Sequence, residues 1–519
     1  MSLSLVSHLN CASATQPTGA PSRCEADRCL RTNARHRNGW TVSASIAGLV
    51  CLPMIVFGQA SYKSSIGGVV TDPSGAVIPN ATVTITENGT NITRSAKTDS
   101  GGNYLFPGLR PSSYTIKVEA QGFRTTERKD LVLQVDQEAT LNLALKLGGV
   151  AARVEVTEAA PLLDTGGPSL GTDVGNDMVS QIPLPGRNFF GLVFLNAGVT
   201  ETTGSGITDN YPTGTNFVSN GQRNATAEIR MDGAPISAPE QGEGATSNVY
   251  YEPSVEVVQE FKVQSNSFSA EFGNNGGTVV NMALKSGTNA LHGSAWWFGQ
   301  RTWLDANDFF NNASGIPRAE HKHDQYGASL GGPIRKNKAF FFVDFERVID
   351  TSPIQILATV PTPAERMGDF SGTQIVDPNS GNLVPDLIFN PLQVSDGTRA
   401  AFQGNIIGSQ WMDPVGKQVI NLYPLPNQPG NPDGTNNFRT SVPAPSKSLQ
   451  FDAKLDYQFS DQMHLSGRFS HAHGSSSTPL VFGDGEFNDG TNYLTTVNNA
   501  SLEYDWNIRP TTLLSARLA

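Results

Sequence analysis

The chain has 519 residues, of which 16% are charged, with 52 glycines, 32 prolines and a net charge of −11. That length leaves room for three or four domains, and the turn-rich, charge-poor balance suits a β-rich chain and argues against a helical bundle. With no Lys/Arg cluster beyond the first forty residues, the acidic chain lacks the footprint that nucleic-acid binding needs to neutralise phosphate.

Residues 1–60 read as a signal peptide. Arg31, Arg35 and Arg37 precede an apolar run from Ser43 to Phe57, and Gly58-Gln59-Ala60 supplies small residues for cleavage. The run is short for a membrane-spanning helix, which takes about 20 residues. The basic lead is long for a signal, which points to a start codon further downstream. Cys51 lies inside the apolar run behind bulky Val50, so a lipoprotein signal does not fit. Cys11, Cys24, Cys29 and Cys51 all fall in this segment. After its removal the chain carries no disulfide, thiol nucleophile or Cys-metal site. Losing its five arginines and two acids moves the net charge from −11 to about −14. No later stretch is long and apolar enough for a membrane helix, so a membrane span here has to be a barrel.

Residues 64–148 read as a compact β domain. Ile66 to Val70 leads into the turn residues Asp72-Pro73-Ser74-Gly75, and Ala81 to Thr86 and Tyr114 to Ala120 alternate cleanly. Leu131-Val132-Leu133 and Leu141 to Leu147 complete about seven short strands, the spacing of a small antiparallel sandwich. The Gly68-to-Asp72 start, the segment Asp99 to Phe106, Leu109 with Pro111, and Ala120-Gln121-Gly122-Phe123 resemble the carboxypeptidase-regulatory-like domain. That resemblance implies a transthyretin-like, carbohydrate-binding-like fold. It does not imply peptidase chemistry: the segment has no histidine, and a zinc carboxypeptidase needs histidine ligands. A spacer or recognition module fits better.

Residues 150–288 turn rich in Gly, Asn and Ser, with short mixed signals such as Ser254 to Val263. Ile182 to Phe189 contains Gly186, Arg187 and Asn188. Asn220 is followed by Gly221, Gln222 and Arg223, and Met231 by Asp232 and Gly233. Val258-Gln259-Glu260-Phe261 precedes Ala270-Glu271-Phe272-Gly273 and Lys285-Ser286-Gly287-Thr288-Asn289. In order and spacing these stretches resemble the α/β plug of TonB-dependent receptors of the Oar-like type. Ahead of them, Val154-Glu155-Val156-Thr157 holds the place of a TonB box, which in that family pairs with the energy-transducing protein by strand addition. An ordinary linker strand is the competing reading.

From 293 to 519 the pattern becomes that of a transmembrane β-barrel. Phe451, Ala453, Leu455, Tyr457 and Phe459 alternate with Gln450, Asp452, Lys454, Asp456 and Gln458, so one face can meet lipid and the other a wet lumen. A turn at Ser460-Asp461 leads to Met463, Leu465, Gly467 and Phe469 in the same alternation. Ala500, Leu502, Tyr504 and Trp506 repeat it before a last strand to Ala519. Earlier strands are expected at Gly293 to Arg301, Tyr326 to Gly332 and Lys338 to Val348. Trp296, Trp297, Tyr457, Tyr504 and Trp506 are candidate interfacial aromatics. Soluble sandwiches alternate too, but short turns against long polar excursions at 351–447 and 472–496 favour a barrel. Tyr326 to Ile334, Val360 to Ser371, Asp413-Pro414-Val415-Gly416 and Leu422 to Asn427 also resemble Oar-like receptors.

Several motifs carry no chemistry of their own. Gly327-Ala328-Ser329-Leu330-Gly331 matches a nucleophile elbow, but that motif needs a strand-to-helix turn, whereas Pro333 and a second strand follow. His321 with His323, and His471 with His473, lack a third ligand at metal spacing. Asp377 to Gly381 lacks the later glutamate of a calcium loop. Neither cofactor nor metal is expected, and no enzyme. The resemblance implies an outer-membrane receptor that binds an external ligand and imports it, with a TonB-type protein and outer-membrane lipid as partners and the sandwich in the periplasm. Peptides, glycans and metal chelates stay open as ligands. A surface binding or adhesion protein on the same scaffold is the alternative, and a secreted hydrolase a third. Only about seven barrel strands are countable, against roughly 22 in large plugged transporters. The chain therefore reads as an N-terminal fragment whose sheet is open.

Overall fold

The computed structural model describes residues 62–148, 154–155, 163–164, 170–201, 217–222, 226–237, 249–273, 276–313, 315–395, 397–477, 481–482 and 492–519. Residues 1–60, where a signal peptide is expected, lie outside them, as do Val156, Thr157 and Arg223. The described chain is mainly β.

Period-two alternation builds the first domain as two facing sheets. One runs in the order Thr93–Lys97, Thr82–Glu87, Ser112–Glu119, Thr126–Leu133, with Val154–Glu155 added at its edge. The other is built on Ser64–Thr71, flanked by Asn103–Leu109 and Glu138–Thr140, with Leu143–Ala144 also pairing on it. Inward side chains such as Ile66, Val70, Val83, Ile85, Phe106, Ile116 and Leu133 meet between the sheets. Turn chemistry spaces the strands: the Asp99 side chain accepts from the N–H groups of Gly101 and Asn103, both at 2.8 Å, while Gly102 takes φ +73°. The sandwich is not purely antiparallel, because Ser64–Thr71 runs parallel to both Glu138–Thr140 and Leu143–Ala144. After Leu133 the chain crosses to the opposite sheet and runs beside its first strand in the same direction.

The middle domain is a five-stranded sheet in the order Leu170–Val174, Val258–Asn266, Val279–Leu284, Glu228–Met231, Ala234–Pro235. Val279–Leu284 is buried along its whole length and runs parallel to Glu228–Met231, which explains its near-continuous apolar run. The short helix Asn176–Gln181 and the 3-10 turn Phe189–Leu195 cover this sheet. Phe189 stacks on Phe190 at 4.5 Å and tilts against Phe261 at 5.6 Å.

The last domain is a wall of seven antiparallel strands paired in chain order. They are His292–Arg301, Lys322–Arg335, Ala339–Ala358, Phe438–Ser460, Met463–Ser477, Asn492–Arg509 and Thr512–Leu518. Its burial is inverted relative to a soluble sheet. Asp452, Lys454 and Asp456 are 2%, 4% and 3% exposed, whereas Leu455 and Phe459 are 55% and 51% exposed. An apolar outer face and a polar inner face suit a sheet with lipid outside. The strands run longer than the alternation alone indicates: Thr351 pairs with Pro445 and Ala358 with Phe438, so the first long excursion narrows to 359–437. Trp296 is not an interfacial aromatic, because its indole N–H donates to Glu346 on the inner face at 3.0 Å; Trp297, its neighbour, is 64% exposed. The first and last strands are sheet edges.

Candidate functional site

The middle domain sits on the inner face of the wall, and polar groups make the contact. Asp232 and Gly233 form the two-residue turn between Glu228–Met231 and Ala234–Pro235, with φ values of 49° and 74°. Such a turn requires left-handed backbone at both positions, which Asp-Gly tolerates well. One carboxylate oxygen of Asp232 accepts from the N–H of Leu284 at 3.1 Å. The other faces Lys454 Nζ at 2.9 Å and Arg468 Nε at 3.8 Å. The Gly233 carbonyl accepts from Arg517 at 3.2 Å, and a Cβ on Gly233 would stand 2.2 Å from that guanidinium. Only glycine lets the arginine approach.

A second contact runs along residues 250–254. Tyr251 donates to Asp452 at 2.6 Å and Ser254 to Asp344 at 2.9 Å, while Gln450 donates to the Glu252 carbonyl at 2.7 Å. Asn499 donates to the Tyr250 hydroxyl at 2.8 Å. Burial, reinforced by the nearby Glu346, pushes the Glu252 carboxyl up to about 8. Arg187 pairs with Glu256 at 3.0 Å and lies over the Phe298 ring at 4.2 Å.

The motif residues divide between these contacts and the domain's interior. Gly186 and Arg187 take φ 62° and 55°, and Asn188 caps the following 3-10 turn by accepting from Phe190 N–H at 2.8 Å. Gly221 (φ 73°) and Gln222 form the turn after Phe217–Ser219. Phe261 is in the core, and Phe272 packs with Val279. Glu271 is half-buried and Gly273 exposed. Glu260 faces the sandwich, where it accepts from Val135 N–H; burial, reinforced by Asp173, pushes it up to about 7. Among the described motif residues, Asp232, Gly233 and Arg187 touch the wall, as do the Met231 carbonyl, which accepts from Arg468 at 3.4 Å, and Asn289, which donates to Asn337 at 2.7 Å. Their partners Lys454, Arg468 and Arg517 carry no motif, and only their place on the polar face of an alternating strand marks them.

The sandwich meets the opposite, short-turn end. Lys63 is buried between Glu503, at 3.2 Å, and Asp505; burial lowers its pKa, but the two carboxylates more than offset that and raise it. Arg110 reaches Glu87 at 2.9 Å and Asp456 at 3.2 Å, and Arg94 donates to Asn507 at 2.6 Å. Val154–Glu155 runs parallel to Thr126–Glu127 at the sandwich edge.

The remaining candidates resolve structurally. Gly327 to Gly331 lies within the continuous strand Lys322–Arg335, not at an elbow, and a Cβ on Gly327 would meet the Trp296 ring at 2.5 Å. Ser329 Oγ is 2.9 Å from Ser294 Oγ. His321 pairs with Asp305 at 2.7 Å and His323 with Asp350 at 2.8 Å. His471 and His473 bond to Asn498 and Thr496. Asp377 is occupied by its own turn, accepting from Asn379 N–H at 3.0 Å and Ser380 Oγ at 2.6 Å. Among the described residues no group of three His, Cys, Asp or Glu side chains is placed to hold a metal.

Comparison with known proteins matches residues 283–519 to an outer membrane β-barrel domain family and residues 65–146 to a carboxypeptidase regulatory-like domain family. The TonB-dependent transporter Oar of Myxococcus xanthus is 28% identical over 315 residues, covering 57% of this chain. The chain spans 28% of that relative's length. Among solved structures, the ferric enterobactin receptor PfeA of Pseudomonas aeruginosa aligns with a TM-score of 0.37 at 14% identity, over 66% of this chain and 39% of the receptor. The outer membrane transporter YddB of Escherichia coli aligns with a TM-score of 0.32 at 13% identity, over 65% and 45%.

Proposed function

We infer that this chain is an Oar-like TonB-dependent receptor of the outer membrane with an N-terminal carboxypeptidase regulatory-like domain, and that it binds an external ligand and imports it with energy relayed from the inner membrane. Residues 150–288 serve as the plug. The observation that carries this reading is the polar seat between plug and wall, with Asp232 against Lys454 and Arg468 at its centre. Buried ion pairs contribute little net stability, because desolvation offsets their attraction. Water can replace such contacts when the plug shifts, whereas an apolar interface would bind it permanently. The plug is then the two-state element that gating requires.

With long loops outward and short turns toward the periplasm, as in outer-membrane barrels, the sandwich lies on the periplasmic side. Val154 to Thr157 is the TonB box, engaged by strand addition with a TonB-type protein. Two measurements test this: a photo-reactive residue at Val156 of the receptor in living cells should cross-link to that protein, and deletion of Val154 to Thr157 should abolish energy-dependent uptake. Uptake unchanged by the deletion would overturn the TonB-box assignment, and absence of both the cross-link and any gradient-dependent uptake would leave an adhesion protein on the same scaffold.

A further inference from the structure

The sandwich does not hang free below the wall. Its contacts reach all three short turns of the wall. Asn91 approaches Asn337, in the turn before Ala339–Ala358, at 3.4 Å. Arg110 reaches Asp456 beside the turn at Asp461. Lys63 and Arg94 reach Asp505 and Asn507 beside the turn at Pro510. Asn289, between plug and wall, donates to the Thr90 carbonyl at 2.6 Å. On its upper side the sandwich touches the plug, where Gln264 donates to Asp136 at 2.7 Å and Lys262 to the Asp136 carbonyl at 3.2 Å. The domain therefore lies across the end through which an imported ligand would leave.

The chemistry of this contact is that of a latch rather than a weld. Its centre is charged: Lys63, Asp456, Glu503 and Asp505 are buried and Arg110 partly so, and His464 stands 3.2 Å from Asp456 and 3.7 Å from Asp505. Yet Arg110 Nη1, both Asp456 carboxylate oxygens, Asp505 Oδ1 and His464 Nε2 are buried without an aligned hydrogen bond. Opposite charges hold the surfaces together, and water would satisfy the same groups on separation. The strand Val154–Glu155 adds a handle, since it is paired to the sandwich edge at Thr126–Glu127. A pull on Val154–Glu155 acts directly on the sandwich edge.

Resting on the receptor reading above, we propose that the sandwich domain is a second gate, a lid latched over the periplasmic mouth by Lys63 and Arg110 and released when the energy-transducing partner draws on residues 154–157. The test uses the full receptor in cells. Residues 62–519 contain no cysteine, so Asn91→Cys with Asn337→Cys introduces a single thiol pair across the contact. Disulfide trapping should be rapid in protonophore-treated cells and several-fold slower in energised cells. Lys63→Glu with Arg110→Glu should slow trapping in both, and adding Asp505→Lys should restore part of it. Equal trapping with and without the protonophore overturns the lid. If the Val156 cross-link to the partner persists in that case, the lid alone falls; if it too is absent, the receptor reading falls with it.

Discussion

Asp232 occupies a turn where plug backbone, plug carboxylate and two wall cations converge. Its backbone N–H donates to the Met282 carbonyl, one carboxylate oxygen serves Leu284 N–H, and the other faces Lys454 and Arg468. Asp232→Asn keeps the shape and the acceptor for Leu284 but removes the negative charge. Lys454 and Arg468, both 4% exposed, would then be buried cations without their carboxylate. Breaking one side of a buried pair costs about 3–5 kcal/mol, and here the cost falls on the seated plug. The expected outcome is faster proteolysis within residues 226–237 at low denaturant, with the wall unaffected. Asp232→Asn combined with Lys454→Met should recover part of the loss. Equal protection of wild type and Asp232→Asn would show that the pair does not hold the plug. In the sequence the Asp-Gly dipeptide stands only as part of a plug-like motif, and neither its turn nor its role is read there, because the partners lie more than 200 residues along the chain and were chosen by the fold.

The wall strands show at element scale what alternation can and cannot say. Gln450 to Phe459 alternates so regularly that its faces were readable, and the structure turns Asp452, Lys454 and Asp456 inward as the pattern requires. The upper half of the same strand was hidden. Pro443 and Pro445 stand in Phe438–Ser460 and Pro353 in Ala339–Ala358, and proline argues against an interior strand because it lacks a ladder donor. Here Pro353 pairs with Pro443 and Thr351 with Pro445, so prolines on neighbouring strands meet where each would have lacked a donor. The sandwich's parallel pairing was hidden for a related reason, since periodicity reports faces and not direction. Inverted burial makes its own prediction. Leu455→Arg, on the outer face at 55% exposure, should cost about 2–4 kcal/mol in a bilayer, depending on depth. A soluble β-sheet would tolerate an exposed arginine almost freely. Refolding into vesicles across a urea series separates the two, and an unchanged midpoint would remove the lipid-facing assignment.

At the scale of the molecule, the order of sandwich, plug and wall follows from composition and motifs, while their mutual seating does not. Lys63 meets Asp505 across 442 residues of sequence, and nothing local to either residue announces the other. The open sheet carries the strongest consequence at this scale. His292–Arg301 and Thr512–Leu518 each pair on one side only. In hydrocarbon every unpaired backbone N–H and C=O costs several kcal/mol, so two such edges outweigh what seven strands gain by facing lipid. The plug seats on the polar inner face through Asp232, Tyr251 and Ser254, away from the edge backbone. The 519-residue chain expressed by itself should therefore fail to give a heat-modifiable monomer in lipid vesicles and should carry no steady conductance. Its edges should instead pair between copies, which cross-linking would detect as dimers joined at His292–Arg301 or Thr512–Leu518. Supplying further wall strands in trans should suppress those dimers, because the same backbone groups are then satisfied. A stable monomer with steady conductance would mean that the two edges meet in lipid, contrary to their separation in the seven-stranded sheet.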